Sequence, residues 1–282
     1  VPENHVLEED RRGSDGILVR RLIQISRRYR VAKRQVLITG MAGRIGRVIT
    51  ERIGDKYELT SLDVKPADGY RSHVADISDF DAIRPAFEGQ QTVVHLAADP
   101  REDAPWDSIH KNDIVGTYNV MEASRQAGVK RVVFASSNHV VGYLPMKDEP
   151  YLAYFEQRDA DLPDPVPMIT AEANRPDGYY AVAKAFGESL GSYYWDAFGL
   201  SCIALRIGGV HDIDSPEGMG PLGRSLYLSH NDAAHLVDCA ITAPASVGFA
   251  VVYGVSNNTL RFHDIETAAE VIGYHPQDNA GT

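Results

Sequence analysis

The sequence predicts an α/β fold in which a doubly wound parallel sheet carries helices on both of its faces. Two observations support this fold class. Short apolar runs alternate with helical stretches from residue 35 onward, as in strands that are joined by crossover helices. The first apolar run, Gln35–Thr39, leads directly into a glycine-rich turn, which is typical of the first strand of such a sheet.

The individual elements follow from the apolar pattern in chain order. Gln35–Thr39 is short and nearly continuously apolar, as expected for a strand that is buried on both faces. The stretch after its glycines has a helical pattern, and the chain then alternates without an internal repeat. We expect further strands at Tyr57–Leu62, Thr92–Leu96, Arg131–Ala135, Ser201–Leu205 and Phe249–Tyr253, and helices at Arg44–Ile53, Phe80–Phe87, Asn112–Ala127 and Gly178–Phe198.

The composition excludes several classes of protein. With 44% hydrophobic and 24% charged residues, the chain is typical of an ordinary soluble domain. Its net charge of −11 argues against a nucleic-acid partner, because phosphate binding requires a basic surface. No apolar run reaches the ~18 residues of a membrane span. The acidic first residues resemble no export signal, and Cys202 and Cys239 are too few for a disulfide framework. We therefore expect a cytoplasmic protein.

The glycine-rich turn predicts a dinucleotide site. Thr39-Gly40-Met-Ala-Gly43-Arg44-Ile45-Gly46 lies between the first strand and the first helix. Gly40 permits the tight turn, Gly43 lets the backbone approach a pyrophosphate, and Gly46 lets the helix pack closely on the strand. The start of the helix then offers unpaired N–H groups to the phosphates.

Residues at the ends of the next strands favour NAD as the cofactor. Asp63 follows Gly40 by 23 residues, where a carboxylate accepts hydrogen bonds from the adenosine ribose and repels the additional phosphate of NADP. Asp76 and Ile77 fit the loop that contacts adenine. The small residues of the strand end at 96–98 let the cofactor lie against the backbone, through Leu96, Ala97 and Ala98.

Tyr180 and Lys184 are four residues apart on a predicted helix, so they share one face. Hydride transfer to or from a carbinol requires a group that moves the hydroxyl proton. A free tyrosine titrates near ~10, but a neighbouring ammonium stabilises the phenolate form. Ser137, at the end of a strand, can bind the same substrate oxygen. Ser137, Tyr180 and Lys184 are the predicted catalytic residues.

The chain divides into three predicted regions. Residues 1–34 form an N-terminal extension, whose segment Arg20–Arg34 is basic and is either a docking helix or a solvated stretch. Residues 35–210 form a Rossmann domain that binds NAD, with a proline-rich insertion at 144–174. Residues 211–282 form a small substrate-binding region that partly completes the sheet.

Together these motifs resemble the extended short-chain dehydrogenase/reductase superfamily over roughly residues 35–275. The segment Phe134-Ala-Ser-Ser-Asn-His139 resembles the branch of the uronate dehydrogenases. Asp99–Trp106, the insertion and Leu228-Ser-His230 are more similar to NAD-dependent glucose-6-phosphate dehydrogenases. The resemblance implies oxidation of a sugar at its anomeric carbon to a lactone, with Tyr180 as the base and Lys184 on the nicotinamide ribose.

The resemblance also implies the substrate contacts, with some departures from the family pattern. Ser137 and Asn138 would hold substrate oxygens. His139, beside Asn138, is either a substrate contact or a packed residue at the strand end. The candidate partners of a substrate anion are Arg224, Arg101 and His230. Pro100 and Gly209 stand where uronate dehydrogenases carry Ser, and Asp113 stands where the family carries Asn. The ten histidines show no spacing typical of a metal site.

Three functions are therefore open at this stage. The chain is an NAD-dependent sugar dehydrogenase acting on a hexose phosphate, a uronate or an aldose, a nucleotide-sugar epimerase or dehydratase, or an NAD-binding protein without catalysis. The 76 residues after Arg206 leave little chain to enclose a nucleotide, which favours the dehydrogenase. We expect a small-molecule sugar as the substrate and a homo-oligomer as the assembly.

Overall fold

A computed structural model describes residues 32–101 and 103–281. The strands are β1 (Gln35–Thr39), β2 (Glu58–Asp63), β3 (Arg71–Val74), β4 (Thr92–His95), β5 (Arg131–Ser137), β6 (Ser201–Ile207) and β7 (Phe249–Gly254). All six pairings between them are parallel, and the order across the sheet is β3-β2-β1-β4-β5-β6-β7. The predicted fold class is confirmed.

The helices connect these strands on both faces of the sheet. They are α1 (Arg44–Ile53), α2 (Phe80–Ile83), α3 (Trp106–Ser108), α4 (Gly116–Gln126), α5 (Tyr143–Lys147), α6 (Leu152–Phe155), α7 (Tyr179–Phe198), α8 (Pro221–Leu226), α9 (His230–Thr242) and α10 (Glu266–Ile272). A π-helical segment, Ile109–Val115, joins α3 to α4 in one continuous run. Residues 1–31, which make up most of the predicted N-terminal extension and most of its basic segment, lie outside the described residues.

Alternating side chains of the central strands supply two apolar layers. In β1, Val36 and Ile38 belong to the layer that packs against α1, α9 and α10, whereas Leu37 belongs to the layer against α2, α4 and α7. This alternation follows from the two-residue period of a strand. Burying one such side chain contributes about 1.5–3 kcal/mol to the stability of the fold. The sheet is therefore stabilised on both faces.

A third apolar cluster holds the segment between β5 and α7 against the residues after β7. Tyr154 of α6 packs edge-on against Phe262, with 4.8 Å between the ring centroids. The backbone of Ile169 also pairs with that of His263. Because β5, β6 and β7 end at the same edge of the sheet, these contacts place the segment over the carboxyl ends of the strands.

Candidate active site

A cleft of about 670 Å³ opens at the carboxyl edge of the sheet. Ligands of open α/β sheets bind at this edge, where the strand order reverses; here that point lies between β1 and β4. The predicted residues that line the cleft are Gly40, Gly43, Arg44, Ile45, Gly46, Asp63, Asp76, Ile77, Leu96, Ala97, Ala98, Ser137, Asn138, His139, Tyr180 and Lys184. Arg101 and Arg224 are not among the lining residues.

The glycine-rich turn has no room for a side chain at Gly40 or at Gly46. Gly40 has a φ of +73°, and a Cβ atom there would lie 2.8 Å from the backbone nitrogen of Ala97. A Cβ atom at Gly46 would lie 2.2 Å from the carbonyl oxygen of Met41. Gly43 precedes α1, which has no side-chain cap at its start. The first turn of α1 therefore faces the cleft with backbone groups, as pyrophosphate binding requires.

Asp63 has a second role that its position in the sequence did not indicate. Its Oδ2 accepts a hydrogen bond of 3.0 Å from the backbone N–H of Ala42. The carboxylate at the end of β2 thereby fixes the glycine-rich turn after β1. Val64 and Lys65, which follow Asp63, also line the cleft.

Asp76 is held by an ion pair from the π-helical segment. Lys111 Nζ donates to Asp76 Oδ2 at 2.7 Å, and the hydroxyl and backbone N–H of Ser78 donate to Oδ1. The bond from Lys111 is the main reason that the pKa of Asp76 lies below its usual range. Ile77 packs against Gly116, where a Cβ atom would lie 2.5 Å from its side chain. Contacts from the π-helical segment and from α4 thus hold Asp76 and Ile77 in place at this end of the cleft.

His95 supports the floor of the cleft as a neutral group. Its ring nitrogens lie 2.7 Å from Thr39 Oγ1 and 3.2 Å from Thr117 Oγ1. Burial, with a smaller effect of the Lys184 charge, lowers the pKa of His95 to about 3. Thr39 Oγ1 also accepts from the Ala97 N–H. The network joins the ends of β1 and β4 to α4.

The predicted catalytic residues, which lie on β5 and α7, line the same cleft. Ser137 ends β5, and its Oγ accepts a hydrogen bond of 3.2 Å from the backbone N–H of His139. The ammonium of Lys184 lies 5.3 Å from the ring centroid of Tyr180 and 5.2 Å from that of Phe134. Lys184 is only 4% exposed. The buried ammonium therefore lies within cation–π distance of the phenol ring.

His139 is oriented by a carboxylate from the loop before α7. Its Nδ1 lies 2.7 Å from Asp177 Oδ2, and its ring meets that of Tyr180 edge-on at 6.0 Å. Gly142 makes room for this contact, since a Cβ atom there would overlap Asp177. Sequence reasoning did not identify Asp177, because 38 residues separate it from His139.

Asp113 is an acidic residue near the cleft that is almost fully buried. It lies in the π-helical segment and is 2% exposed; Oδ2 accepts from the Asp99 N–H at 3.0 Å, whereas Oδ1 has no partner. Burial raises the pKa of Asp113 to about 6, against the opposing effect of the Lys184 charge. The neighbouring Asn112 lines the cleft.

The two arginines predicted to bind an anion are engaged elsewhere. Arg101 binds Asp99 through Nε and Nη2, at 2.9 Å and 2.6 Å. Arg224 donates to the carbonyl oxygens of Met219 and Ala280, at 3.0 Å and 2.8 Å. The structure therefore does not bring either guanidinium into the cleft, and their binding of a substrate anion stays a prediction.

Several further lining residues were not predicted as site residues. They are Pro100, Asn112, Ser136, Ile207, Gly208, Gly209, Val210, His211, Gly223 and Leu226. Those that follow β6 had a usable signal, because the carboxyl ends of parallel strands share one edge. Among the described residues, no cluster of three His, Cys, Asp or Glu side chains is suited to hold a metal ion. Within the same residues, no helix could span a membrane.

The cleft has two ends that the strand order separates. Asp63 ends β2 and Ser137 ends β5, with β1 and β4 between them. Strands in a sheet lie about 4.8 Å apart, so these residues are roughly 14 Å apart across the sheet. We use the term substrate end for the lining residues that follow β5 and β6, together with Pro100, Asn112, Tyr180, Gly223 and Leu226.

Comparison with known proteins places this cleft among NAD-dependent enzymes. The profile of the NAD dependent epimerase/dehydratase family matches residues 36–211. The NAD-dependent glucose-6-phosphate dehydrogenase of Haloferax volcanii is 38% identical, over 87% of this chain and 94% of that protein. The L-arabinose 1-dehydrogenase (NAD(P)(+)) of the same organism is 36% identical, over 88% and 98%.

A solved structure and a further relative, both uronate dehydrogenases, are also similar to this chain. A uronate dehydrogenase mutant from Agrobacterium tumefaciens, complexed with NAD, superposes with a TM-score of 0.74. It is 33% identical, and the match covers 88% of this chain and 86% of that one. The uronate dehydrogenase of Pseudomonas syringae is 32% identical over 87% of this chain and 82% of that protein.

Proposed function

We propose that this chain, which belongs to the NAD dependent epimerase/dehydratase family, oxidises a sugar at its anomeric carbon to a lactone. Its cofactor is NAD, and its relatives are named as sugar dehydrogenases. The observation that carries the proposal is the meeting of Ser137, Tyr180 and Lys184 in the same cleft as the glycine-rich turn. A scaffold that only bound NAD would not need this set.

The residues present fit NAD. The turn packs too closely for side chains at Gly40 and Gly46, and the uncapped start of α1 lines the cleft, so phosphates can approach its backbone N–H groups. Asp63 lies at the end of β2, where it can accept from ribose hydroxyls, and Asp76 and Ile77 line the adjoining wall. When bound, NAD supplies the hydride acceptor at the other end of the cleft.

The proton of the anomeric hydroxyl is assigned to Tyr180. The ammonium of Lys184, over its ring, stabilises the phenolate that removes this proton. Ser137 Oγ accepts from the His139 N–H and donates only a long hydrogen bond of 3.5 Å to Asn138 Oδ1, so its proton can turn to the sugar oxygen. Ser137 therefore orients the hydroxyl while Tyr180 takes its proton, and carbon–oxygen double-bond formation completes the lactone.

The test is a panel of sugars with NADH absorbance as the signal. Accumulation of NADH distinguishes a dehydrogenase from an epimerase, because an epimerase returns the hydride to its product. Tyr180→Phe should lower kcat by ~10² or more, the scale of a lost acid–base group, and should leave NAD affinity intact.

Tyr179→Phe is the matched control for this experiment. Tyr179 precedes Tyr180 on α7 and is exposed outside the cleft, where it packs edge-on against Trp106. Its variant should retain the activity of the unmodified protein. A Tyr180→Phe variant that is as active as the Tyr179→Phe variant would contradict the proposed mechanism.

We also propose that the enzyme is a homo-oligomer. Tyr179, Val182 and Tyr193 are exposed apolar residues at helical spacing on α7, and Trp106 is exposed beside Tyr179. An exposed apolar stripe of this kind favours burial against another protein surface. Sedimentation velocity should give a mass above 31.0 kDa, and Val182→Asp should reduce it; a monomer would refute this assembly.

A further inference from the structure

The charged groups around the substrate end are already paired with groups of this chain. Arg101 binds the Asp99 carboxylate through two nitrogen atoms. His139 is held by the carboxylate of Asp177 at 2.7 Å. In the part of the chain that the structure describes, Arg101 and His139 therefore each lie beside a carboxylate of this chain.

Arg224 is fixed in a different way. Its Nε and Nη1 donate to the carbonyl oxygens of Met219 and Ala280, so its guanidinium ties the start of α8 to the segment around Ala280. Gly223 and Leu226, on either side of it, line the cleft, but Arg224 does not. Turning Arg224 into the cleft would leave two half-buried carbonyl groups without these donors.

The surface that does face the substrate end is mostly uncharged. It contains the hydroxyl of Ser137, the amides of Asn112 and Asn138, the imidazole of His211, the apolar residues Pro100, Val210 and Leu226, and the glycines Gly208, Gly209 and Gly223. Hydroxyl and amide groups both donate and accept, as sugar hydroxyl groups do. The ammonium of Lys184 lies beside the Tyr180 ring, and Tyr180 and Lys184 are taken by the proton transfer.

A phosphate or carboxylate that enters such a site loses water without gaining an arginine in return, because Arg101 and Arg224 are engaged elsewhere. Transfer of an unpaired anion from water is strongly unfavourable, whereas a hydroxyl group needs only its hydrogen bonds to be replaced. The Asp177 carboxylate, next to His139, would add repulsion. The physical balance at this end of the cleft favours an uncharged ligand.

We propose that the substrate is an uncharged aldose rather than a sugar phosphate or a uronate. This inference rests on the proposed dehydrogenase function and narrows it to one of three sugar classes. It departs from the name of the 38% identical relative, which acts on glucose 6-phosphate. The reason is the pairing of the arginines and of His139 within this chain.

The test compares sugars that differ only in charge. The full-length protein with NAD is assayed on glucose against glucose 6-phosphate, and on galactose against galacturonate. The neutral member of each pair should have a kcat/KM ~10-fold or more higher, equivalent to about 1.4 kcal/mol. An equal or higher kcat/KM for either anionic member would overturn the inference and would leave the dehydrogenase function standing. Failure of all four sugars, with L-arabinose as a fifth, would count against the dehydrogenase function and the inference together.

Two further readouts separate the charge of the substrate from its shape. An anion held by a cation is released by salt, because added ions screen the attraction; KM for the preferred sugar should therefore be the same at low and high NaCl. In Arg224→Ala, the ratio of kcat/KM for the anionic and neutral sugars should stay within about twofold of its original value. A ratio that falls about tenfold would make Arg224 the anion contact and would overturn the inference.

Discussion

Asp113→Asn tests how the buried carboxylate near Lys184 affects the stability of the fold. The side chain is 2% exposed, and one of its oxygen atoms has no partner. Asn keeps an oxygen that can accept from the Asp99 N–H, as Oδ2 does now at 3.0 Å. The substitution therefore removes the charge while it retains the shape and one hydrogen bond.

The expected gain in stability depends on pH. An aspartate in the unfolded chain titrates near ~3.9, whereas burial raises the pKa of Asp113 to about 6 in the folded protein. Between these values the folded state binds more protons than the unfolded state, so stability falls as the pH rises. Removing the carboxyl group should raise the free energy of unfolding by about 3 kcal/mol at pH 8 and by about 1 kcal/mol at pH 4.5.

Urea unfolding, followed by tryptophan fluorescence at both pH values, measures this difference. Asp107→Asn is the matched control, because Asp107 is an exposed acidic residue on the preceding helix α3. The control should change the free energy of unfolding by less than ~0.5 kcal/mol at either pH. The reasoning fails if Asp113→Asn gives the same gain at pH 4.5 as at pH 8, or if it destabilises the protein at pH 8.

Three further substitutions address the cofactor, the catalytic pair and the core. Asp63→Ala should narrow the preference for NAD over NADP by ~10-fold or more in kcat/KM, since its charge repels the additional phosphate; equal use of both cofactors by the unmodified enzyme would contradict this role. Lys184→Ala should lower kcat by ~10² and also weaken NADH binding in a fluorescence titration. A change in kcat alone, or in NADH affinity alone, would show that Lys184 does not both support Tyr180 and bind the cofactor. Glu188→Gln should destabilise the fold by about 3–5 kcal/mol, because Arg206 (2% exposed) would lose its buried counter-charge at 2.9 Å. Glu270→Gln, an exposed control, should change little in the same urea titration, and equal effects of the two would exclude the ion pair as the cause.

The alternation of apolar runs was sufficient to predict most of the sheet. β1 and α1 begin and end at the predicted residues, Gln35–Thr39 and Arg44–Ile53, because a continuous apolar run and three glycines bound them. Strand β3 was not predicted. Its sequence, Arg71–Val74, is mostly polar and lies at the edge of the sheet, so it pairs through its backbone and carries no apolar pattern.

Several predicted site residues line one cleft, and these are the ones whose position follows from local spacing. Tyr180 and Lys184 are one helical turn apart, and the strand-end rule placed Asp63 and Ser137 at the same edge. What the sequence could not give was pairing between distant segments. The contact of His139 with Asp177 depends on how the chain returns before α7.

The same limit applies to the arginines. Arg224 was expected to bind a substrate anion, but its partners are Met219 and the distant Ala280. Arg101 follows a strand end, as expected of a ligand contact, and pairs instead with Asp99. Guanidinium groups reach far, so position along the chain does not determine which acceptor they find.

The π-helical segment Ile109–Val115 gives this active site an unusual route for evolutionary change. Such a segment closes its hydrogen bonds one residue later than an α-helix does, so loss of a single codon could restore a regular helix without breaking the chain. Each residue of an α-helix turns the following side chains by about 100°. One in-frame deletion would thus redirect Asn112, on the wall of the cleft, and its buried neighbour Asp113, while α7 kept its own sequence. Insertions and deletions in this segment, rather than point substitutions, are where relatives of this enzyme can diverge in one step.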